Sequence, residues 1–321
     1  MRTLHLARRG LVNYLTKRPF CVSFEITRNC NARCRHCHLG NTLEENLITP
    51  LQIGRTCRYL QPVVAQVSGG EPLLRKDLED IIRAIRVPGH DPFIVVTTNG
   101  VLLSKERYDR LIESGVDEFS LSLDYPDDRH DNFRQVPGLF RRIETLVESL
   151  PRTGSKKITL ACVVQSDNFR DLPKMAELAK AWGVRVNFSS YTCLRTGNKD
   201  YLIGRDRLDE FRQVVEELKS FKRRYNTIHT SDYVFGNMVR YFEKGSFEGC
   251  RAGERFLVVN PDGTLSPCGL VLRSFASQED IRRDFDARNE CELCYTSIRA
   301  NSERPAWYLV KDNLRTLFKG R

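Results

Sequence analysis

Short apolar runs alternate with longer amphipathic segments along most of the chain, beginning near residue 21. The short runs are rich in β-branched and aromatic residues, which predicts strands over 21–26, 63–67, 93–97, 117–123, 157–164 and 184–189. The longer segments repeat apolar residues at helical spacing, which predicts helices over 50–60, 77–86, 104–114, 138–149, 170–182 and 206–224. Strands and helices that alternate in this way form βα units, and such units build a parallel sheet.

The number of βα units separates an open barrel from a closed one. Six predicted strands alternate with six predicted helices, whereas a closed barrel of this type has eight units. We therefore expect an α/β fold with a partial (β/α)6 TIM-like barrel. Capping signals mark three helix starts, because Thr49 precedes Pro50 and because Ser104 and Asp206 stand before later helices.

The two ends of the chain follow other patterns. Residues 4–18 mix apolar and basic residues at helical spacing, which predicts a helix that covers one end of the core. A helix that lies on an anionic lipid surface is the alternative. After residue 225 we expect one helix near 233–242, a hairpin turn at Pro261-Asp262-Gly263 and a last helix over 305–318. The predicted domains are an N-terminal helix, the barrel and a smaller C-terminal domain, over 1–19, 20–225 and 226–321.

Composition and charge limit the partners. The chain has 321 residues, 40% of them hydrophobic, which is enough for a sizeable core. It contains neither an apolar run of the roughly 20 residues that span a bilayer nor a signal peptide, so we expect a cytoplasmic protein. The net charge of +10 admits nucleic acid, anionic lipid or anionic small molecules as partners. Paired arginines are scattered over separate predicted helices, which argues against a dedicated nucleic-acid site, at 8–9, 141–142, 223–224 and 282–283.

Three cysteines follow the first predicted strand in one short run, where Cys30, Cys34 and Cys37 are spaced C-x3-C-x2-C. Cysteine thiolates ligate iron–sulfur clusters, and three of them leave one iron of a 4Fe–4S cluster open to another ligand. Zinc is the alternative, because it prefers four ligands and either His36 or His38 can supply the fourth. In a chain of this size, eleven cysteines indicate metal binding or catalysis rather than disulfides.

Three polar motifs follow the next three predicted strands. The run Ser68-Gly69-Gly70-Glu71-Pro72 offers glycines that let a ligand approach the backbone and a carboxylate that can pair with an ammonium group. Thr97-Thr98-Asn99-Gly100 and Ser120-Leu121-Ser122-Leu123-Asp124 end the two strands after it. Each motif alone is an ordinary polar turn, and their order on consecutive strand ends is the informative feature.

Together these motifs resemble the radical SAM enzymes, in which the open iron of a 4Fe–4S cluster binds the amino and carboxylate groups of S-adenosylmethionine (SAM). The resemblance implies a radical SAM barrel in which Cys30, Cys34 and Cys37 are the catalytic cluster ligands. It also implies SAM contacts from His36, Gly69, Gly70, Glu71, Thr97, Asn99, Ser122 and Asp124.

The order of the motifs is similar to the branch that contains the GTP cyclases and the SPASM/twitch enzymes. At Gln66 the chain departs from the GTP cyclases, which carry a basic residue just before their glycine motif, and this disfavours GTP cyclisation. A second set of four cysteines, spaced C-x17-C-x22-C-x2-C, resembles a shortened SPASM domain of the twitch type. This implies a C-terminal twitch/SPASM-like extension and an auxiliary 4Fe–4S cluster, with structural zinc as the alternative, held by Cys250, Cys268, Cys291 and Cys294.

The remaining cysteines have no assigned metal. Cys21, Cys57 and Cys162 are expected in the core, where free cysteine behaves as a small apolar residue. Cys193 is interpreted as a packed thiol, and a hydrogen-atom donor is the alternative. The run over 134–138 is interpreted as structural.

The resemblance implies a radical enzyme. An electron donor such as flavodoxin or ferredoxin reduces the first cluster, SAM is cleaved to methionine and a 5′-deoxyadenosyl radical, and the radical abstracts a hydrogen atom from the substrate. The auxiliary cluster accepts an electron from the substrate radical, which gives a net oxidation, or only braces the fold or conducts electrons. We expect a small polar or anionic metabolite as the substrate. Modification of a lipid, isoprenoid or peptide is the second hypothesis, and a zinc-stabilised nucleic-acid-binding protein is the rival from another class.

Overall fold

One sheet runs through the computed structural model, which describes residues 2–40, 43–86, 91–151, 156–271 and 273–305. The strands in these ranges are β1 (Cys21–Glu25), β2 (Val64–Ser68), β3 (Phe93–Thr98), β4 (Glu118–Ser122), β5 (Ile158–Val164), β6 (Arg185–Ser190), β7 (Phe256–Val259) and β8 (Leu265–Ser266). The α-helices in the same ranges are α1 (Arg2–Leu15), α2 (Pro50–Leu60), α3 (Leu78–Ile85), α4 (Lys105–Ser114), α5 (Arg129–Arg134), α6 (Leu139–Ser149), α7 (Leu172–Ala181), α8 (Leu208–Tyr225), α9 (Asp232–Lys244), α10 (Gln278–Asp284) and α11 (Ser297–Ser302).

The strand order is β6-β5-β4-β3-β2-β1-β7-β8. All neighbours from β6 to β7 pair in parallel, and β7 pairs with β8 in antiparallel orientation. The expected α/β fold with six βα units is confirmed. Because the strands from β1 to β6 are parallel, their carboxyl ends meet at one edge of the sheet, where loops are free to vary in sequence.

Burial explains why these segments form strands and helices. The first four residues of β1 are buried, and β1 is paired on both edges, with β2 and with β7. On α3 the apolar residues recur every three to four positions, and this whole face is fully buried, at Leu78, Ile81, Ile82 and Ile85. Residues from α9, β7 and β8 belong to the same buried core as the six parallel strands.

Two of the three predicted helix caps are confirmed. The Thr49 hydroxyl accepts a hydrogen bond from the Gln52 amide in a capping box, with Pro50 at the first helical position. Ser104 caps α4 through the Arg107 amide. The prediction for Asp206 was wrong, because a single 3-10 turn over Arg205–Arg207 precedes α8 and encloses this residue.

The N-terminal helix α1 packs at the end of the sheet where the strands begin. The buried Asn13 amide donates hydrogen bonds of 2.8 Å to the carbonyls of Pro19 and Gln61, which precede β1 and β2. The Arg255 guanidinium, just before β7, lies 4.1 Å from the centre of the Tyr14 ring. The expected cover over one end of the core is therefore present. In the ranges that the structure describes, no helix is both long and apolar enough to cross a membrane.

The C-terminal part continues the sheet. The predicted hairpin at Pro261-Asp262-Gly263 is confirmed between β7 and β8, and the helix predicted near 233–242 is α9. Strand β7 pairs directly with β1, so hydrogen bonds cross the predicted domain boundary after residue 225. From residue 306 onward, the helix predicted over 305–318 lies outside the described residues.

Candidate active site

The three N-terminal cysteines lie on the loop that follows β1. Cys34 is buried, Cys30 and Cys37 are half-buried, and the Cys37 amide donates a hydrogen bond of 3.0 Å to the Cys34 carbonyl. Burial raises the pKa of the Cys30 thiol, and the nearby Glu71, Cys34 and Cys37 raise it further. The three sulfur atoms therefore share one electrostatic environment.

The three cysteines of the loop after β1 offer sulfur atoms as ligands for a metal group. Among the described residues, no three or more His, Cys, Asp or Glu side chains are arranged around the position of a single metal ion. Three thiols on one loop are soft sulfur ligands, which is the ligand type that iron–sulfur clusters take. The residues present fit an iron–sulfur cluster by the chemistry of their donors.

The two glycines after β2 allow the backbone to pass close to the cysteine loop. The Gly70 amide donates to the Thr27 carbonyl at 2.7 Å, and the Glu71 amide donates to the Asn29 carbonyl at 2.8 Å. A Cβ atom on Gly70 would lie 2.1 Å from the Asn29 carbonyl oxygen, and Gly69 has a φ of +137°. We expected these glycines to admit a ligand, and the structure shows that they first admit the cysteine loop itself.

The Glu71 carboxylate lies inside the protein, with no exposed surface. One oxygen accepts hydrogen bonds from the Thr98 hydroxyl at 2.7 Å and the Leu73 amide at 3.1 Å, and the other accepts from the Asn99 amide at 2.7 Å. Burial raises the pKa of this carboxyl to about 7, although these hydrogen bonds favour its charged form. The side chain thus ties β2 to the end of β3, rather than standing free as expected for pairing with an ammonium group.

Asn99 connects the end of β3 to the cysteine loop. Its side-chain nitrogen donates to the Asn31 side-chain oxygen at 2.8 Å and lies 3.7 Å from the Cys30 sulfur. Thr97, two residues earlier on β3, accepts a hydrogen bond of 2.9 Å from the side-chain amide of Gln66 on β2. The residues predicted at this strand end are therefore adjacent to the predicted cluster ligands.

A buried ion pair connects β4 to the second cysteine of the loop. Asp124 has no exposed surface, and Arg134 on α5 donates to one of its oxygens from two nitrogens at 2.7 Å. The remaining Arg134 nitrogen lies 3.6 Å from the Cys34 sulfur. Burial raises the pKa of the Asp124 carboxyl, but the charges of Arg134, His36 and His130 and the hydrogen bond from Val163 together lower it below its ordinary value. The carboxylate also accepts the Val163 amide at 3.0 Å, so it is bound on both sides.

His36, between the second and third cysteines, stacks on the Phe133 ring at a centroid distance of 4.9 Å and an interplanar angle of 2°. Its Nδ1 atom is buried without a hydrogen-bond partner among the described residues. Burial lowers the pKa of His36 to about 3, and the positive charge of Arg134 lowers it further. The ring is therefore neutral at physiological pH, and an orphaned polar atom lies beside the cysteine loop.

A buried arginine lies beside two cysteines of the second set, Cys250 and Cys294. Arg299 is fully buried and donates to the carbonyls of Cys294 and Glu248, at 2.6 and 2.7 Å, and to the Glu303 carboxylate at 3.0 Å. Burial raises the pKa of Cys250 to about 12, while the charge of Arg299 acts in the opposite direction. The charges of neighbouring thiols raise the pKa of Cys250, Cys268 and Cys294 further, so the four cysteines lie near one another, at 250, 268, 291 and 294.

The predicted site residues lie at the edge of the sheet where the parallel strands end. Ser122 is among them and is half-buried at the end of β4. Arg134 was missed as a site residue, since its run was interpreted as structural. A separation of 100 residues divides it from Cys34, so no spacing rule connects the two. Arg75 was also missed: this buried side chain donates to the Ile26 carbonyl at 3.0 Å and steadies the start of the cysteine loop.

A loop with three cysteines at the carboxyl ends of parallel strands, in a sheet built of βα units, defines an α/β protein of the partial-barrel class. The profile of the radical SAM superfamily matches residues 24–179, which include the cysteine loop and the strand ends through β5. Residues 24–179 therefore form a radical SAM domain, and members of this superfamily bind SAM and an iron–sulfur cluster.

Similar proteins include an AdoMet-dependent heme synthase of Methanosarcina barkeri, 32% identical over 193 residues, which are 58% of this chain and 54% of that protein. The chain thus spans about half the length of this relative. A probable GTP 3′,8-cyclase of Methanococcus aeolicus is 29% identical over 284 residues, with 82% of this chain and 92% of the relative covered. Among solved structures, Streptococcus suis SuiB bound to SAM has a TM-score of 0.65 at 18% identity and covers 88% of this chain and 71% of SuiB.

Proposed function

We propose that this protein reductively cleaves SAM and uses the resulting radical to abstract a hydrogen atom from a small polar or anionic metabolite. The observation that supports this most directly is the meeting of the three-cysteine loop with the strand ends of β2, β3 and β4. When bound, a 4Fe–4S cluster would supply the electron for this cleavage.

In this proposal the chain's own residues hold the site in place. Cys30, Cys34 and Cys37 would ligate the cluster, and Asn99 and Arg134 lie against two of their sulfurs. Glu71 holds the end of β3 through its buried hydrogen bonds. The SAM contacts predicted for His36, Gly69, Gly70, Glu71, Thr97, Asn99, Ser122 and Asp124 are part of the proposal, with Glu71 acting through its backbone.

The second cysteine set is proposed to hold an auxiliary 4Fe–4S cluster. The support is the shared environment of the four thiols and the buried Arg299, whose positive charge offsets the negative charge of thiolates. This cluster would accept an electron from the substrate or brace the fold. Residues 226–321 would form the corresponding twitch/SPASM-like region.

A small anionic substrate agrees with the name of one relative, which is a cyclase of GTP. Lipid or isoprenoid modification was suggested by the basic N-terminal helix. That helix packs beside Pro19 and Gln61, at the end of the sheet opposite the cysteine loop. A membrane contact through α1 would therefore not bring lipid to the site, and the small metabolite is the better-supported substrate.

An iron–sulfur cluster needs both an electron donor and a reducing environment. An electron donor such as flavodoxin or ferredoxin would reduce the first cluster. Because seven cysteines must stay reduced to ligate iron, we place the protein in a reducing compartment, the cytoplasm.

The first experiment is anaerobic purification, followed by iron and zinc analysis and an assay for 5′-deoxyadenosine with SAM and dithionite. We expect brown protein with about eight irons per chain, the content of two 4Fe–4S clusters. The variant Cys34→Ala should keep about four irons and form no 5′-deoxyadenosine. The matched control Cys57→Ala removes a core thiol of α2 and should retain both properties.

Colourless protein with stoichiometric zinc would contradict the enzyme and favour a zinc-stabilised protein. SAM cleavage that persists in Cys34→Ala would contradict the assignment of the cysteine loop.

A further inference from the structure

Glu25 is the last residue of β1 and lies at the carboxyl end of that strand. The residue is half-buried, yet the carboxylate makes no hydrogen bond or ion pair with any residue in the described ranges. Burial raises the pKa of this carboxyl, and the charges of Arg195 and Arg28 lower it. A carboxylate removed from water is costly unless a donor reaches it, so its surroundings are informative.

Arg195 lies near the same point, although β6, the strand before it, is at the far end of the strand order from β7 and β8. It ends the 3-10 turn Cys193–Arg195 after β6, and its guanidinium likewise has no described partner within ion-pair distance. A Cβ atom built on Gly269 would lie 2.9 Å from Glu25 Oε1 and 3.5 Å from Arg195 Nη2. Two opposite charges thus flank one point without pairing, and the absence of a side chain at Gly269 leaves that point open.

Two more basic side chains border this space. Arg28 lies on the cysteine loop; its backbone amide binds Glu45 at 2.5 Å, while its guanidinium has no described partner. His38 follows Cys37, and after burial the charges of Arg195 and Arg28 are the causes that lower its pKa. Arg195 and Arg28 are thus the two cationic side chains whose charges act on Glu25, while the Glu45 carboxylate is held by the Thr27 hydroxyl and the Arg28 amide.

The space lies between the two cysteine sets. Gly269 directly follows Cys268 of the second set, and Arg28 and His38 flank the first set on either side. The charge of Arg195 also reaches His36 inside the first loop. A molecule held at this point would be adjacent to both predicted cluster sites.

We propose that Glu25, Arg28 and Arg195 form the substrate-recognition site for a small metabolite that carries a carboxylate or phosphate group. The two guanidinium groups bind the anionic group, and Glu25 accepts a hydrogen bond from a hydroxyl or ammonium group beside it. This assignment deepens the proposed function and rests on it. Elsewhere the arginines near the site already have carboxylate partners, as Arg75 has Asp77 and Arg134 has Asp124. The pair at Gly269 is left for a ligand, which would gain charge-assisted hydrogen bonds there.

The test measures binding of two anions to the anaerobic, cluster-loaded enzyme in the presence of SAM. Isothermal titration calorimetry with inorganic phosphate and, separately, with succinate distinguishes phosphate from carboxylate recognition. Arg195→Met and Arg28→Met should each weaken the better-bound anion at least tenfold, as loss of a charged hydrogen bond does. Glu25→Gln should instead tighten its binding severalfold, because a negative charge is removed. Arg83→Met, an exposed arginine of α3, should change nothing.

Failure of this inference is separable from failure of the proposed function. SAM cleavage by dithionite without substrate, measured on the wild type and on Arg83→Met, tests the function alone and should be equal in the two proteins. A wild-type enzyme that cleaves SAM but binds neither anion would overturn the recognition site only. Equal anion binding by all variants, or a weaker affinity for SAM itself in Arg195→Met, would also overturn it.

Discussion

The buried guanidinium group of Arg134 contacts both the Asp124 carboxylate and the Cys34 thiol. Two of its nitrogens bind Asp124, and the third faces the Cys34 sulfur at 3.6 Å. A buried ion pair does not by itself stabilise a fold, because desolvation offsets the attraction. Here the ion pair fixes the position of Arg134, and Arg134 in turn restricts the position of the Cys34 sulfur. A cysteine that is to ligate a cluster needs its sulfur in a defined position.

Removal of the arginine should therefore be costly. Arg134→Met leaves Asp124 buried without its partner, and we expect the free energy of unfolding to fall by about 3–5 kcal/mol. Urea unfolding followed by circular dichroism measures this loss. Arg83→Met removes an exposed ion pair and should cost less than about 1 kcal/mol. Equal losses of unfolding free energy in Arg134→Met and Arg83→Met would show that the buried ion pair contributes no more to stability than the exposed one.

His130 is a second fully buried polar residue near Asp124. Its Nδ1 accepts the Asp124 amide at 3.2 Å, which places the ring proton on Nε2, where it has no described partner. Burial lowers the pKa of His130 to about 4. The folded protein therefore keeps this ring neutral where the unfolded chain, with an ordinary pKa of about 6.5, takes up a proton.

This difference sets the sign of a pH effect. Since the unfolded state binds more protons below pH 6.5, the stability contributed by neutral His130 is lost as pH falls. Between pH 7.5 and 5.5 the wild type should lose about 1 kcal/mol more stability than His130→Asn, which lacks the titrating ring. Urea unfolding at both pH values provides the comparison, and identical pH dependence in the two proteins would refute the assignment.

At the level of elements, the turn after β2 and the loop after β1 form one unit. Backbone hydrogen bonds from Gly70 and Glu71 join the turn to Thr27 and Asn29. There is no room for a side chain, because a Cβ atom on Gly70 would meet backbone at 2.1 Å. The glycine motif is thus required for the position of the cysteine loop, whatever it contributes to SAM.

Gly70→Ala should displace the cysteine loop, because backbone atoms cannot yield as a flexible side chain can. We expect a loss of stability of about 1–3 kcal/mol from overpacking and a lower iron content. Gly236→Ala is the matched control, since a Cβ atom there meets nothing within 4 Å in the middle of α9. That variant should gain about 0.5–1 kcal/mol. Iron analysis and thermal unfolding of both variants would decide; unchanged iron in Gly70→Ala would contradict this account.

The sequence was sufficient for the features that lie close together along the chain. The cysteine triad, the glycine turn and the periodicity of the βα units are local patterns, and each is found where it was predicted. The contact of Arg134 with Cys34 and the placement of Glu25 and Arg195 around Gly269 bring together residues from distant strands. Such contacts follow from the order of strands in the sheet, which local spacing does not encode.

On the scale of the whole molecule, the two ends of the sheet have different tasks. The cysteine loop and its polar neighbours occupy the carboxyl ends, and α1 covers the opposite end through Asn13. The exposed side of α1 carries large apolar residues, at Leu4, Leu11 and Leu15. The contacts of α1 are thus separated from the cysteine loop by the length of the sheet.

Asn13→Ala tests this separation. The variant leaves the Pro19 and Gln61 carbonyls without their donor, which should lower the free energy of unfolding by about 1–3 kcal/mol. Formation of 5′-deoxyadenosine per bound iron should remain unchanged at a temperature where the variant is folded. A parallel loss of cleavage rate would show that the two ends of the sheet are coupled.

The pairing of β7 with β1 has a consequence for how the chain can be divided. Strand β1 is covered on one side by β2 and on the other by β7, and four of its five residues are buried. Removal of residues 226–321 would expose the unpaired N–H and C=O groups of β1, on the strand that leads to the cysteine loop. An apolar strand edge of this kind pairs readily with another chain, so the truncated protein would self-associate and aggregate rather than fold as an independent barrel.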